Sequence, residues 1–253
     1  MGQLFCNPSA VRIRKATVHA LIASMVSTTA MASTAACEIK SGERLTPVLE
    51  LYTSEGCSSC PPADQWLSTW KGKPVVAQAF HVAYWDYIGW KDPFANPAFT
   101  SRQREVAEAN SLSGIYTPQL VRNGRDWSNW RLPWQSVDYT APAHAAITLR
   151  QSERTDAYEA LVTPENGSSA WTAYWTVTEH NHSSRVKAGE NAGEFLKHDF
   201  VVRQYVPAGR YKGTQTLKFY AIPVQPDHPR QINLVISNVQ TGETLQAVSL
   251  QCS

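Results

Sequence analysis

Residues 47–82 place the tightest constraint on the fold. Two apolar runs of strand length, Pro47-Val48-Leu49-Glu50-Leu51-Tyr52-Thr53 and Pro74-Val75-Val76-Ala77-Gln78-Ala79-Phe80-His81-Val82, enclose a segment with helical signals. Near-continuous apolar runs of this length suit strands buried on both faces of a sheet. Between them, Ser54-Glu55-Gly56 makes a turn and Pro61 and Pro62 stand where a helix starts. Asp64 then supplies an acid in the first turn, and Ala63, Trp66, Leu67 and Trp70 recur at helical spacing before Gly72. Strand, helix and strand in this order predict a parallel pairing with the helix as crossover. Cys57-Ser58-Ser59-Cys60-Pro61 falls at the strand-to-helix turn.

Two cysteines at that place suit thiol–disulfide exchange. The reaction needs an exposed, stabilised thiolate and a second sulfur close enough to displace the mixed disulfide that the first one makes. Cys57 is expected at the positive end of the helix dipole, open to solvent, and Cys60 one turn in and more shielded. Cys57 is therefore the candidate nucleophile and Cys60 the resolving residue. Glu50, on one strand face with Val48 and Tyr52, is the candidate acceptor for the Cys60 proton.

Residues 1–32 read as a secretory signal, with Arg12, Arg14 and Lys15 as its basic start, Ala16 to Thr29 as a mostly apolar stretch and Ala30-Met31-Ala32 as the cleavage site. Thr34-Ala35-Ala36-Cys37 loosely matches a lipoprotein processing site but lacks the large aliphatic residue three before the cysteine. The chain carries 23 Lys+Arg and 21 Asp+Glu, and the leader holds three of the basic residues and no acid, which leaves 20 against 21. That near-neutral balance points to neither nucleic acid nor an anionic membrane as partner, and the mature chain is expected to have no membrane span. Cys6 departs with the leader, so Cys37, Cys57, Cys60 and Cys252 remain. Cys57 and Cys60 are natural partners within one turn, which pairs Cys37 with Cys252 as a structural disulfide between the ends of the mature chain.

After residue 82 an aromatic loop, Tyr84 to Phe94, could wall a groove, and Ala98 to Asn110 reads as a helix. Thr117-Pro118 precedes a short strand that ends in an Asn123-Gly124 hairpin turn, Leu132 to Val137 suggests a short helix, and Tyr139 to Ala143 resembles a linker. From His144 on, seven short alternating segments (145–149, 158–162, 171–178, 200–206, 216–222, 232–239 and 244–250) with Gly, Asn and Pro turns predict a β-sandwich. His180 and His182 are expected in a solvated turn.

The cysteine motif and the Thr117-Pro118 step, in that order, resemble the active site and cis-proline loop of the thioredoxin superfamily. The resemblance implies a cis Thr117–Pro118 bond whose loop packs on the disulfide and pairs with an extended substrate, so that Thr117 and Pro118 face substrate. Glu50-Leu51-Tyr52-Thr53-Ser54-Glu55-Gly56-Cys57-Ser58-Ser59-Cys60-Pro61-Pro62-Ala63-Asp64, with Tyr84-Trp85-Asp86-Tyr87-Ile88-Gly89-Trp90 and Tyr116-Thr117-Pro118-Gln119, is similar to the secreted thioredoxin-like family catalogued as domain of unknown function twelve-twenty-three. In that family's pattern an Asp usually stands where this chain has Ala83.

The expectation is thus an α/β thioredoxin-like domain over 33–140, followed by a mostly β, sandwich-like domain over 141–253. The protein is expected to be exported, periplasmic or extracellular, and to exchange disulfides with protein or peptide thiols without an organic cofactor. The alternatives are a partner-binding module with a structural disulfide, or a metal carrier binding copper through Cys57, Cys60 and His81, as in thioredoxin-fold copper carriers.

Overall fold

In the computed structural model, which describes residues 1–3, 37–132, 136–165 and 170–252, both apolar runs are strands buried along their whole length. The expected leader lies outside the described residues apart from Met1–Gln3, and so does part of the Leu132–Val137 stretch. The first elements are β1 (Glu38–Lys40), β2 (Val48–Thr53), α1 (Pro61–Ser68), β3 (Val76–His81), a 3-10 turn (Ala83–Ile88), α2 (Pro97–Ala109), β4 (Gln119–Arg122) and β5 (Arg125–Asp126). They are followed by β6 (Ala145–Gln151), β7 (Ala157–Pro164), β8 (Trp171–Glu179), β9 (His182–Arg185), β10 (Phe195–His198), β11 (Val201–Tyr211), β12 (Gln215–Tyr220), β13 (Arg230–Asn238) and β14 (Thr244–Leu250). The protein is mostly β, with several sheets.

β2 and β3 pair in parallel, from Val48 opposite Val76 to Thr53 opposite His81. Because successive side chains point to opposite faces, Leu49 and Leu51 pack with Ala63 and Leu67 of α1, and Val48 and Tyr52 pack with Phe99 and Val106 of α2. Burying each such apolar side chain contributes about 1.5–3 kcal/mol, and the two helices cover both faces of the pair. α1 begins with Pro61 and Pro62 in its first positions, where a missing N–H costs nothing. α2 begins at Asn96, whose side chain accepts from Ala98 N at 2.9 Å.

The chain on the two sides of residue 140 shares one sheet. Its strand order is β14-β13-β8-β11-β3-β2-β4-β5, and β11 joins β3 in parallel at Val201 and Ala79. Ala36–Ser253 accordingly forms one compact unit. The expected separation into two domains rests on composition, which carries no information about pairing between distant strands. The sheet curls until its two end hairpins meet: Thr244 N donates to Asn123 O at 3.3 Å and Arg125 pairs with Glu243. Gly124, at φ +82°, faces the carbonyl of Gly242 so closely that a side chain there would collide with it.

A second sheet, β1-β6-β7-β12, faces the β8, β13 and β14 end of the first. Ile147, Leu149, Val162, Leu217 and Phe219 on one side meet Trp171, Trp175, Leu234 and Val248 on the other, and Trp175 stacks on Phe219 at 5.0 Å. All seven strand segments read after His144 correspond to strands. β1, β9 and β10 are additional and short.

Cys37 and Cys252 form a disulfide that closes 215 residues of chain. Cys37 Sγ is therefore not available for lipidation. In the chain-entropy account a closure of this length restricts the unfolded chain by about 5 kcal/mol. Replacing both residues by alanine is expected to lower unfolding stability by about 2–5 kcal/mol, read as a lower urea midpoint; an unchanged midpoint would show that the bridge adds nothing to the fold.

Candidate functional site

β2 carries the chain into a tight turn in which Cys57 N donates to Ser54 O at 3.1 Å and Cys60 N to Cys57 O at 3.2 Å. Cys57 and Cys60 are joined as a disulfide. Cys60 is the N-cap residue of α1, and its carbonyl accepts from Ala63 N and Asp64 N at 2.8 and 3.1 Å. The sequence expectation set Cys57 in solvent and Cys60 a turn into the helix. Instead Cys60 precedes the helix and Cys57 lies a turn before it, with both buried at 1% and 0% exposure, while Ser58 and Ser59 are exposed.

The cover over Cys57 comes from the far half of the chain. β9 and β10 pair antiparallel, and the loop between them, residues 186–194, lies across the cysteine turn. Buried Asn191 donates through Nδ2 to the carbonyls of Glu55 (2.8 Å) and Cys57 (3.0 Å). Glu190 accepts from Ser58 N at 3.0 Å, and that bond lowers its pKa. Gly189, at φ +77°, rests on Ile88, so a side chain there would press into Ile88 at 2.8 Å. No local sequence signal marks this cap, because its strands are four residues long and its contacts with the cysteine turn and Ile88 are with residues more than 100 positions away.

Beneath the turn lies a cluster of buried ionisable groups: Glu55, Asp64, His81, Asp92 and His198. His81 Nδ1 is 2.7 Å from Asp92 Oδ2, which also accepts from Glu55 N at 2.9 Å. Burial alone would raise the Asp92 pKa, but the His81 charge and hydrogen bonds outweigh it and lower the value. His198 Nε2 is 3.1 Å from Glu55 Oε1, and Glu55 Oε2 accepts from Trp90 Nε1 at 2.8 Å. Asp64 Oδ2 accepts from Thr53 Oγ1 at 2.8 Å. His198 Nδ1 and Asp64 Oδ1 stand 3.7 Å apart, an ion-pair separation too long for a hydrogen bond. Burial alone would lower the His198 pKa, yet Asp64 and Glu55 together push it up to about 10. Of these five residues the sequence analysis singled out His81; Asp64, four positions after Cys60, and Glu55, two before Cys57, carry a signal in their nearness to the cysteines.

The other expected residues lie elsewhere. Glu50 is buried on the α2 face of the sheet, opposite α1, and its oxygens are held by Arg102 (2.7 and 2.9 Å), Tyr52 (2.7 Å) and Tyr174 (2.9 Å). A carboxylate so occupied, with α1 across the sheet, is not placed to take a proton from Cys60. Thr117 and Pro118 are half-buried, their bond is cis, and Thr117 Oγ1 accepts from Trp85 Nε1 at 2.8 Å. Trp85 in turn lies against Gly56, so it bridges the cysteine turn and the Thr117 loop. Tyr87, in the 3-10 turn that carries Trp85, and Tyr116, next to Thr117, are exposed.

His180 and His182, expected in solvent, are buried. His182 pairs with Glu179 at 2.9 Å and stacks on His228 at 3.7 Å, while His180 lies 3.4 Å from Asp199. Among the described residues, the ligand atoms that converge within 4.8 Å of one another are those of Asp64, His81 and His198; neither cysteine belongs to the group.

Fold and site together define a mostly β protein with several sheets, in which a strand-to-helix turn carries a buried Cys-x-x-Cys disulfide. The chain belongs to the family described as protein of unknown function (DUF1223), whose sequence model matches residues 48–240. A crystal structure of a protein from Agrobacterium tumefaciens resembles it in fold, with a TM-score of 0.61 and 24% identity over 83% of this chain and 96% of that one. Among curated proteins none matches. No helix of the described residues is long and apolar enough to cross a membrane.

If the cap controls access to the disulfide, Asn191→Ala, which removes two hydrogen bonds worth about 1 kcal/mol each, should speed reduction of Cys57–Cys60 by dithiothreitol roughly tenfold or more. The rate is read by alkylation and mass spectrometry at timed intervals. An unchanged rate would mean that the cap does not limit access.

Proposed function

We propose that this chain is an exported thiol–disulfide exchange protein, in which the 33–140 region is a thioredoxin-like module and the 141–253 region supplies the cap and His198. The observation that carries the reading is the Cys57–Cys60 disulfide between a buried parallel strand and the first residue of a helix, directly beside a buried ionisable cluster. The leader and the two disulfides support export, since disulfides persist in oxidising compartments.

In the reducing direction, the Cys57 thiolate attacks one sulfur of a substrate disulfide, forms a mixed disulfide and expels the other substrate sulfur as a thiolate. Cys60 then attacks the Cys57 sulfur, the second substrate thiolate leaves, and the protein disulfide closes; two electrons have passed to the substrate. The same steps reversed oxidise a dithiol. Opening of the 186–194 loop uncovers Cys57, whereas Cys60 stays beneath the start of α1. Thr117 and Pro118 align an extended substrate segment beside Trp85.

The burial of both sulfurs favours a second reading, a partner-binding module whose disulfide stays closed. Trapping separates the two. Cys60→Ser is expected to accumulate mixed disulfides with exported proteins on non-reducing gels, and Cys57→Ser almost none. Equal trapping by both variants, or none by either, would favour the binding module.

A further inference from the structure

Three buried carboxylates, Glu55, Asp64 and Asp92, converge on two buried imidazoles, His81 and His198, and among the described ion pairs no Lys or Arg reaches any of the three. Buried charge of one sign requires a counter-charge. The outer atom of each inner residue is already held: His81 Nδ1 by Asp92, His198 Nε2 by Glu55 and Asp64 Oδ2 by Thr53. The remaining ring nitrogens, His81 Nε2 and His198 Nδ1, are buried without a hydrogen-bond partner. Ligand atoms of Asp64, His81 and His198 lie within 4.8 Å of one another.

We propose that Asp64, His81 and His198 bind one divalent transition metal ion of the borderline class, represented by Zn2+. Two imidazole nitrogens and one carboxylate oxygen are the donor set such ions take, and they leave a coordination position open. Bonds of about 2.0–2.1 Å set tetrahedral ligand atoms about 3.3 Å apart, and His198 Nδ1 and Asp64 Oδ1 need close only a little from 3.7 Å. Carboxylates on the far nitrogens of metal-bound histidines fix ring orientation and raise basicity; Asp92 and Glu55 stand in those places, and Thr53 does the same for Asp64. Phe94, 5.2 and 5.6 Å from the two rings, gives the site an apolar wall. The ion ties α1, β3 and β10 together at the root of the cap hairpin. This site uses no cysteine and does not depend on the exchange reading.

The test uses the full chain with both disulfides closed, dialysed against chelator and titrated with Co2+. The expected result is one equivalent bound, with visible ligand-field absorption and without thiolate charge-transfer bands, displaced by one equivalent of Zn2+. Asp64→Asn and His198→Gln should weaken binding at least a hundredfold while the circular dichroism stays native, and Thr53→Val about tenfold. Cys57→Ser/Cys60→Ser should bind as before, which keeps this result separate from the fate of the exchange reading. Failure of the unaltered chain to bind Co2+ or Zn2+ by calorimetry overturns the proposal even if the variants do not fold. Thiolate charge-transfer bands, or binding lost with the cysteines, overturn it as well.

Discussion

The parallel pairing of β11 with β3 is the constraint on which the site depends. β2 and β3 are buried on both faces, so the free edge of β3 needs a partner for its backbone groups, and Ala79 N finds one in Phe200 O at 2.8 Å. The strand that meets this need comes from the far half of the chain. Whatever precedes it is therefore brought near the cysteine turn: His198 two residues before Phe200, and the hairpin loop with Glu190 and Asn191 before that. One sheet edge thus decides that the disulfide is covered and that the cluster beneath it is complete.

Local features were legible in the sequence. The strand, helix and strand of residues 47–82, the Asn123-Gly124 turn and the strands after His144 all follow from apolar period and turn chemistry within a few residues. The proximity of Cys57 and Cys60 is of the same kind. Non-local facts were not legible. Alternation puts Glu50 with Val48 and Tyr52, but only the packing of α2 reveals that this face meets Arg102 and Tyr174 instead of the cysteines. His180 and His182 sit in a polar stretch of sequence and His198 between Lys197 and Asp199, yet all three are buried in the fold, where Asp199, Glu179 and Glu55 respectively pair with them. Composition suggested a boundary near residue 140 that strand pairing crosses.

Two kinds of chemistry meet at α1. The Cys57–Cys60 disulfide lies just before its first residue, and its first turn carries Asp64 close to two histidines. The cover over the disulfide is a loop held by Asn191 and Glu190 through three hydrogen bonds, and the proposed exchange requires a cover of this kind, one that can open. A metal ion at Asp64, His81 and His198 would anchor the root of the cap while leaving its tip free to move.

The central claim is that Cys57–Cys60 is an exchange pair and Cys37–Cys252 a staple. Equilibrating the full chain in graded glutathione buffers, quenching by alkylation and locating the modified cysteines by mass tests it directly. The account predicts that Cys57 and Cys60 become half-reduced between roughly −270 and −120 mV, the span of exchange catalysts, while Cys37–Cys252 stays closed. A Cys57–Cys60 midpoint below about −300 mV, in the range of inert structural disulfides, would contradict it.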